Sequence, residues 1–348
     1  MTEITRKLAS VRRIDAIDSI PDADRIVCAT IGGWKLVTQK SNNFQVGDLV
    51  VYFEIDSFLP VCEKFEFLRK SSFKSTSNLG DGFRIKTIRL KGQVSQGLIL
   101  PVDEFVEEIH QAIFPDNICR EGVDLTEILG VQKYEKPIPA NLAGNVRGNF
   151  PSFLRKTDQE RIQNLKRDFS RWCADNTLWE VTEKLDGSSM TVYNHEGVFG
   201  VCSRNMDLME DEGNAFWQVA NKLGLRDMVA DGFAIQGELV GPGVQGNKYG
   251  LKELEFYLFD VYDIKKGEYL KSDDRLEHWG ELKHAPILGL IDLGIYQDEG
   301  ISGLISDADG ASLIGNKSAR EGAVFKNTTN GDVSFKVISN KWLLKNEE

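Results

Sequence analysis

The sequence predicts an α+β chain of two domains, a small β-barrel followed by a domain built on antiparallel strands. Three observations lead there. The first hundred residues hold short apolar runs separated by glycine-marked turns, with little helical periodicity. A stretch rich in proline, glycine and asparagine, KYEKPIPANLAGNVRGNFP, interrupts the chain near its middle and reads as a linker. From residue 179 strand patterns dominate again. A length of 348 residues suits about two domains.

In order along the chain, ADRIVCATIGGWKLVTQK has two apolar-rich runs broken by Gly32-Gly33, a hairpin signal. DLVVYFEIDSFLP reads as one buried strand ended by Pro60. FRIKTIRLKGQVSQGLILPV alternates apolar and basic residues and turns at Gly92 and Gly97. VDEFVEEIHQAIF is a short helix candidate. After the linker, Thr157 and Glu160 fit a T-x-x-E capping box. Ile162, Leu165, Phe169 and Trp172 fall on one face of the helix it would open. WEVTEKLDGSSMTVY runs as a strand into Lys184, turns at Asp186-Gly187 and carries Ser188-Ser189. MTVYNHEGVFGVCSR is a hairpin turning at His195-Glu196-Gly197, and a helix candidate spans roughly 212–230. GFAIQGELVG and LEFYLFDVYDI are strands. EGAVFKNTTNGDVSFKVIS is a hairpin whose loop holds Asn330-Gly331. No internal repeat or low-complexity tract is present.

Composition excludes several classes. No apolar run approaches the ~20 residues of a membrane span, and MTEITRKLAS lacks the apolar core of a signal peptide. The five cysteines (Cys28, Cys62, Cys119, Cys173, Cys202) are scattered, with no CxxC pair, so neither a zinc site nor a disulfide framework is indicated. A reduced, cytoplasmic chain is expected. The four histidines (His110, His195, His278, His284) show no ligand spacing. Net charge is −11, but residues 1–100 hold 15 Lys and Arg against 11 Asp and Glu. That first part is the one able to face a phosphate backbone, although chance asymmetry of a solvated surface explains the balance as well. The acidic surplus elsewhere suits a site for divalent cations.

Lys184 ends an apolar strand. A lysine amine is a poor nucleophile while protonated, and burial by Trp179, Val181 and Leu185 is expected to depress its pKa. Asp186, two residues on, is placed to hold a hydrated cation against a phosphate, and Gly187 permits close backbone approach.

Lys184-Leu185-Asp186-Gly187 resembles the nucleophile motif of covalent nucleotidyltransferases, the superfamily of polynucleotide ligases and mRNA capping enzymes. The superfamily's further motifs have counterparts in order: Ser203-Arg204-Asn205, Gln236-Gly237-Glu238-Leu239, Phe256-Tyr257-Leu258-Phe259-Asp260, Glu321-Gly322-Ala323-Val324 and Phe335-Lys336-Val337. Each is weak alone; the ordered set is strong. With EKLDGSS, FLRKTDQERIQN and SFKVISNKWLLK, nearly the whole chain resembles ATP-dependent RNA ligases of the Deinococcus and Naegleria type.

The resemblance implies an OB-fold barrel over 1–105, a linker over 106–150 and a nucleotidyltransferase domain, an ATP-grasp-like ligase fold, over 151–348. It implies ATP and Mg²⁺ or Mn²⁺ as cofactors, and a lysyl-AMP on Lys184 with Lys336 at the α-phosphate. It implies Glu183, Arg204, Glu238, Phe256, Phe259, Lys326 and Lys336 around the nucleotide, and Asp186, Glu238 and Glu321 toward the metal. The partner would be RNA with 5′-phosphate and 3′-hydroxyl ends, at nicks in duplex RNA or RNA/DNA hybrids, sealed by a monomer away from any membrane. In the barrel, Arg84, Lys86, Arg89 and Lys91 alternate along a strand, as phosphate tracking or a solvated face would have them. One departure stands out: the last motif usually reads K-x-K, and here its first position is Ser334. Either that phosphate contact is missing, or Lys326 or Lys341 replaces it. A DNA ligase or GTP-using capping enzyme would share the lysine chemistry, and a non-catalytic nucleic-acid-binding protein would share the fold.

Overall fold

The computed structural model describes residues 6–114, 118–135, 140–315 and 318–346, the side chains of 140 and 141 apart. Parts of the expected linker, 115–117 and 136–139, lie outside them. The chain divides into two compact units, Met1–Pro137 with Leu343–Glu348, and Ile138–Trp342.

The first unit is built from short antiparallel sheets. Leu49–Phe53 is the centre of one, between Ala9–Arg13 and Leu98–Pro101, with Val11 opposite Val51 and Leu100 opposite Val51 on its other side. These apolar residues meet Phe65, Phe83 and Phe105 in one core. The expected hairpin at Gly32-Gly33 joins Ile26–Ile31 to Trp34–Gln39. DLVVYFEIDSFLP is two strands, not one, Leu49–Phe53 and Ser57–Pro60. The chain turns a corner where Asp56 takes a φ of 70°. Arg6 holds that corner, bonding Glu54 at 2.6 Å and Asp56 at 3.1 Å. VDEFVEEIHQAIF forms a 3₁₀ turn, Val102–Phe105, and a helix, Val106–Ile113. Phe105 and Ile109, with Leu125, Leu129 and Val131, enter the same core, so this packing runs on into the stretch expected as linker.

The basic stripe is not continuous. Arg84 ends Gly80–Arg84, is buried, and lies 4.2 Å over the Tyr134 ring. Arg89 belongs to a separate two-stranded ribbon, Thr87–Leu90 with Gln93–Gln96, and both Arg89 and Lys91 are exposed. Two changes of strand stop one alternation from carrying all four side chains on one face.

The second unit holds two sheets. The larger runs Val146–Asn149, Met206–Leu208, Val198–Cys202, Ser188–His195, Phe233–Val240, Glu255–Asp263, Glu268–Tyr269, antiparallel throughout. The smaller runs Glu160–Arg161, Ser334–Ile338, Gly322–Asn327, Leu178–Lys184, Ile287–Asp292, with a single parallel pairing at its Glu160–Arg161 edge. Leu178–Lys184 lies in the smaller sheet and Ser188–His195 in the larger. The Asp186-Gly187 turn is therefore the crossing from one sheet to the other. The hairpin at residues 195–198 turns through Glu196 and Gly197 at φ of 52° and 75°, the geometry of a type I′ turn.

The capping box does not form. The Thr157 hydroxyl bonds the Ser189 hydroxyl at 2.8 Å, and Glu160 is drawn into the edge strand. The helix starts only at Lys166, after a 3₁₀ turn at Ile162–Asn164, though Ile162, Phe169 and Trp172 reach the core. The 212–230 helix is two, Ala215–Lys222 and Leu225–Met228, parted at Gly224.

Under the smaller sheet, the Trp172 and Phe325 rings stack on Phe335 at 5.4 and 4.8 Å, each within 8° of parallel. Trp179 tilts against the same ring at 5.2 Å. Phe335 is fully buried and separates Ser334 from Lys336. Phe335→Ala is expected to lower stability by about 3–5 kcal/mol. Urea unfolding measures it, and a loss below about 1 kcal/mol would mean this stack does not fix the strand.

Candidate active site

Strand alternation sorts the residues of Leu178–Lys184. Trp179 and Val181 go into the aromatic core. Glu180, Thr182 and Lys184 face the other way, and so do Lys326, Ser334 and Lys336 on neighbouring strands, by the pairings Glu180 to Lys326, Val324 to Lys336 and Lys326 to Ser334. Lys184 itself pairs with Gly322. This brings Glu321 beside it, and the Lys184 amine donates to the Glu321 carboxylate at 2.7 Å.

Beyond Lys184 the turn is held at several points. The Asp186 N–H donates to the Tyr249 hydroxyl at 2.7 Å, and the Gly187 N–H to the Glu238 carboxylate at 3.0 Å. A Cβ on Gly187 would stand 2.3 Å from the Leu239 carbonyl oxygen, so only glycine allows this approach. The Asp186 carboxylate accepts from Lys248.

The electrostatics differ from the expectation for Lys184. Burial alone would depress its pKa, but Glu321 first, then Glu238 and Asp186, outweigh burial and hold the amine above its ordinary value. The apolar residues expected to lower it point into the core. Burial, with Glu321 and Asp186 adding to it, pushes the Glu238 carboxyl up to about 8. Burial and Asp186 likewise raise Glu321, against the opposing pull of Lys184 and Lys336. Lys184, Lys248 and Lys336 stand against these three carboxylates. The carboxylate oxygens are donors that fit a hard divalent cation. They do not form a ready-made cage: among the described residues no three His, Cys, Asp or Glu are grouped to hold an ion.

Glu183, buried, accepts from the Leu313 N–H at 2.8 Å through Oε2, with the Ser312 hydroxyl beside it, while Oε1 has no hydrogen-bond partner among the described residues. Burial raises its carboxyl. Around it, Leu185, Tyr249, Tyr257 and Ile314 form a small apolar cluster. Phe256, expected against the base, is not there. It alternates to the opposite face and packs with Met190, Leu239 and Leu258 in the main core, leaving Tyr257 on the Glu183 side.

Lys326 also departs from its expected place at the nucleotide. It is buried in an ion pair with Asp260 and donates to the Phe259 carbonyl. The Phe259 ring stands 5.7 Å from that amine. Burial, then Arg275, lowers the Lys326 pKa. Arg275 in turn bonds Glu180 at 2.6 Å and the Phe259 carbonyl at 2.8 Å. The four charges tie the two sheets together, which commits Lys326 and stops it from replacing a lysine at Ser334. Lys341, its side chain exposed, is bonded to Asp309 at 2.9 Å. Arg204 sits in the loop after Val198–Cys202 and grips Asp158 with two bonds of 2.8 and 2.9 Å.

Three residues were not singled out by sequence. Arg161 is buried and pairs in register with Lys336. It lay within FLRKTDQERIQN, in the stretch expected as a helix opening at Thr157. Lys248 and Tyr249 lie in GVQGNKYG, about sixty residues from Asp186, and no spacing signal links them.

The comparisons with known proteins cover both units. An RNA ligase family matches residues 177–338, and an OB-fold domain family matches residues 8–102. The curated proteins gave no match. Among solved structures, a variant of Naegleria gruberi RNA ligase with ATP and Mn is 40% identical, with a TM-score of 0.88 over 99% of this chain and 100% of that one. The Naegleria gruberi enzyme with PPi is 41% identical at 0.88 over 99% of each chain. An apo variant is 41% identical at 0.89 over 98% of each.

Proposed function

The chain belongs to the RNA ligase family and is an RNA ligase enzyme; from that premise we propose that it works through a lysyl-AMP on Lys184 and seals nicks in duplex RNA or RNA/DNA hybrids. The observation that carries this reading is the Lys184 amine, at the crossing between two sheets, 2.7 Å from Glu321 and in the field of Glu238 and Asp186.

In the first step the amine attacks the α-phosphorus of ATP. An N–P bond forms, the bond to the bridging oxygen breaks, and pyrophosphate leaves. The amine must first lose its proton. Glu321, in contact with it and held above the ordinary carboxylate range, is the acceptor. Lys336 and Arg204 supply fixed positive charge to the phosphates. Glu183 Oε1 takes the exocyclic N–H of adenine, beside Tyr257. In the second step AMP passes to a 5′-phosphate, and in the third a 3′-hydroxyl attacks that phosphate and expels AMP. The Naegleria relatives were solved with ATP and Mn or with AMP and Mn, and ATP with Mg²⁺ or Mn²⁺ serves here. Asp186, Glu238 and Glu321 would hold the cation, with water and phosphate oxygens completing its shell, and it would neutralise phosphate charge. One chain carries all the motifs, so a monomer suffices. Free thiols throughout suit a reduced, cytoplasmic setting.

Nicked duplexes test the substrate. Equal nicks are built with RNA or DNA on the 3′-hydroxyl side, and with 5′-phosphate or 5′-hydroxyl across the break. The expected result is sealing with RNA and 5′-phosphate, at least about tenfold faster than with DNA. Equal sealing of both would favour a DNA ligase, and GTP use without a 5′-phosphate would favour a capping enzyme.

A further inference from the structure

We propose that Lys248 is the resident counter-ion of Asp186, and that a divalent cation reaching this carboxylate displaces the ammonium toward the face of Trp342. The proposal rests on the reading of Asp186 as a metal-site residue.

Two features of the fold argue that this pair is built rather than incidental. First, the loop carrying Lys248 is fixed in shape. Gln245 and Asn247 take φ of 44° and 48°, a conformation held only where the surroundings determine it. The Asn247 side chain closes the loop, donating to the Leu251 carbonyl at 2.9 Å and accepting from its N–H at 3.0 Å. Second, the loop grips the nucleophile turn twice. Tyr249 accepts the Asp186 N–H at 2.7 Å, while Lys248 takes the carboxylate of the same residue. Both members of the ion pair are mostly buried, with side-chain exposures of 28% and 15%.

The ammonium also has a second seat. It lies 4.6 Å from the Trp342 ring centroid, within cation–π range. A lysine that loses its carboxylate to a doubly charged ion therefore keeps a favourable partner. The same exchange explains how three acidic side chains are held together before a metal arrives. Glu321 has Lys184, Asp186 has Lys248, and Glu238 accepts the Gly187 N–H and shares the field of Lys184. Lys248 thus acts through Asp186, as a positioning residue that sets how readily metal enters.

The test uses the full chain, freed of bound AMP, and Mn²⁺ alone, with free Mn²⁺ followed by electron paramagnetic resonance. Lys248→Met is expected to bind Mn²⁺ roughly threefold to tenfold more tightly than wild type, the scale of one partly buried ion pair. Lys248→Arg, which keeps the charge, is expected to bind as wild type does and guards against a folding artefact. Mg²⁺ is expected to change the tryptophan fluorescence of wild type, and that change is lost in both Lys248→Met and Trp342→Phe. If Asp186→Asn weakens Mn²⁺ binding but Lys248→Met does not tighten it, the counter-ion exchange is wrong and the metal reading stands. If Asp186→Asn binds Mn²⁺ as wild type does, both fall.

Discussion

Lys184→Ala is expected to abolish sealing of 5′-phosphate RNA, by on the order of 10⁴-fold or more, yet to spare joining of RNA that already carries a 5′-adenylate. The asymmetry follows from where Lys184 sits. Its amine ends the Leu178–Lys184 strand and meets Glu321 at 2.7 Å. Only the first step needs that amine to form a bond; the last needs the 3′-hydroxyl, the activated phosphate and fixed positive charge. The measurement is gel-resolved sealing of two matched nicked duplexes, one with a 5′-phosphate and one pre-adenylylated. Equal loss on both would make Lys184 a general structural or phosphate-binding residue. Full activity on the 5′-phosphate nick would remove it from the chemistry.

Glu238→Gln is expected to lower adenylylation by about 10²-fold and at the same time to stabilise the fold at alkaline pH. The stability effect has a definite sign. Burial, with Glu321 and Asp186 adding to it, lifts the Glu238 carboxyl from 4.5 to about 8. The folded state therefore holds this proton more tightly than the unfolded state. Its contribution is complete below the unfolded value and is lost as pH rises through about 8. Glutamine has no such proton to lose. Relative to wild type, Glu238→Gln should gain about 2–3 kcal/mol between pH 5 and pH 9, the full conversion being reduced by solvent at this half-buried side chain. Urea unfolding at the two pH values, in chelator, measures it. A difference that does not change with pH would show that Glu238 is not strained by ionising.

Much of this was legible in the sequence because it is local. Strand alternation and a tight turn were enough to put Lys184 at a strand end, and Asn330-Gly331 marked the hairpin that carries Lys336. The failures have physical causes at a distance. Thr157 was read as a helix cap because a T-x-x-E pattern names no competitor, yet Ser189 takes its hydroxyl. Burial of Lys184 suggested a depressed amine, but Glu321 and Glu238, brought from far along the chain, together with Asp186 of the adjoining turn, overrule that burial. Phe256 and Tyr257 are adjacent, so alternation had to send one to the core, and sequence could not say which. Lys326 looked free until Asp260 was brought to it by a strand of the other sheet. Lys248 was invisible because its partners, Asp186 and Trp342, are joined to it only by the fold.

The central claim is a covalent lysyl-AMP. The most direct measurement is the intact mass of the purified chain, first stripped of nucleotide with pyrophosphate, then incubated with ATP and Mg²⁺. A gain of one AMP, removed again by added pyrophosphate, is the result the proposal predicts. An unchanged mass would contradict it and leave this fold as a binding scaffold without the ligase's first step.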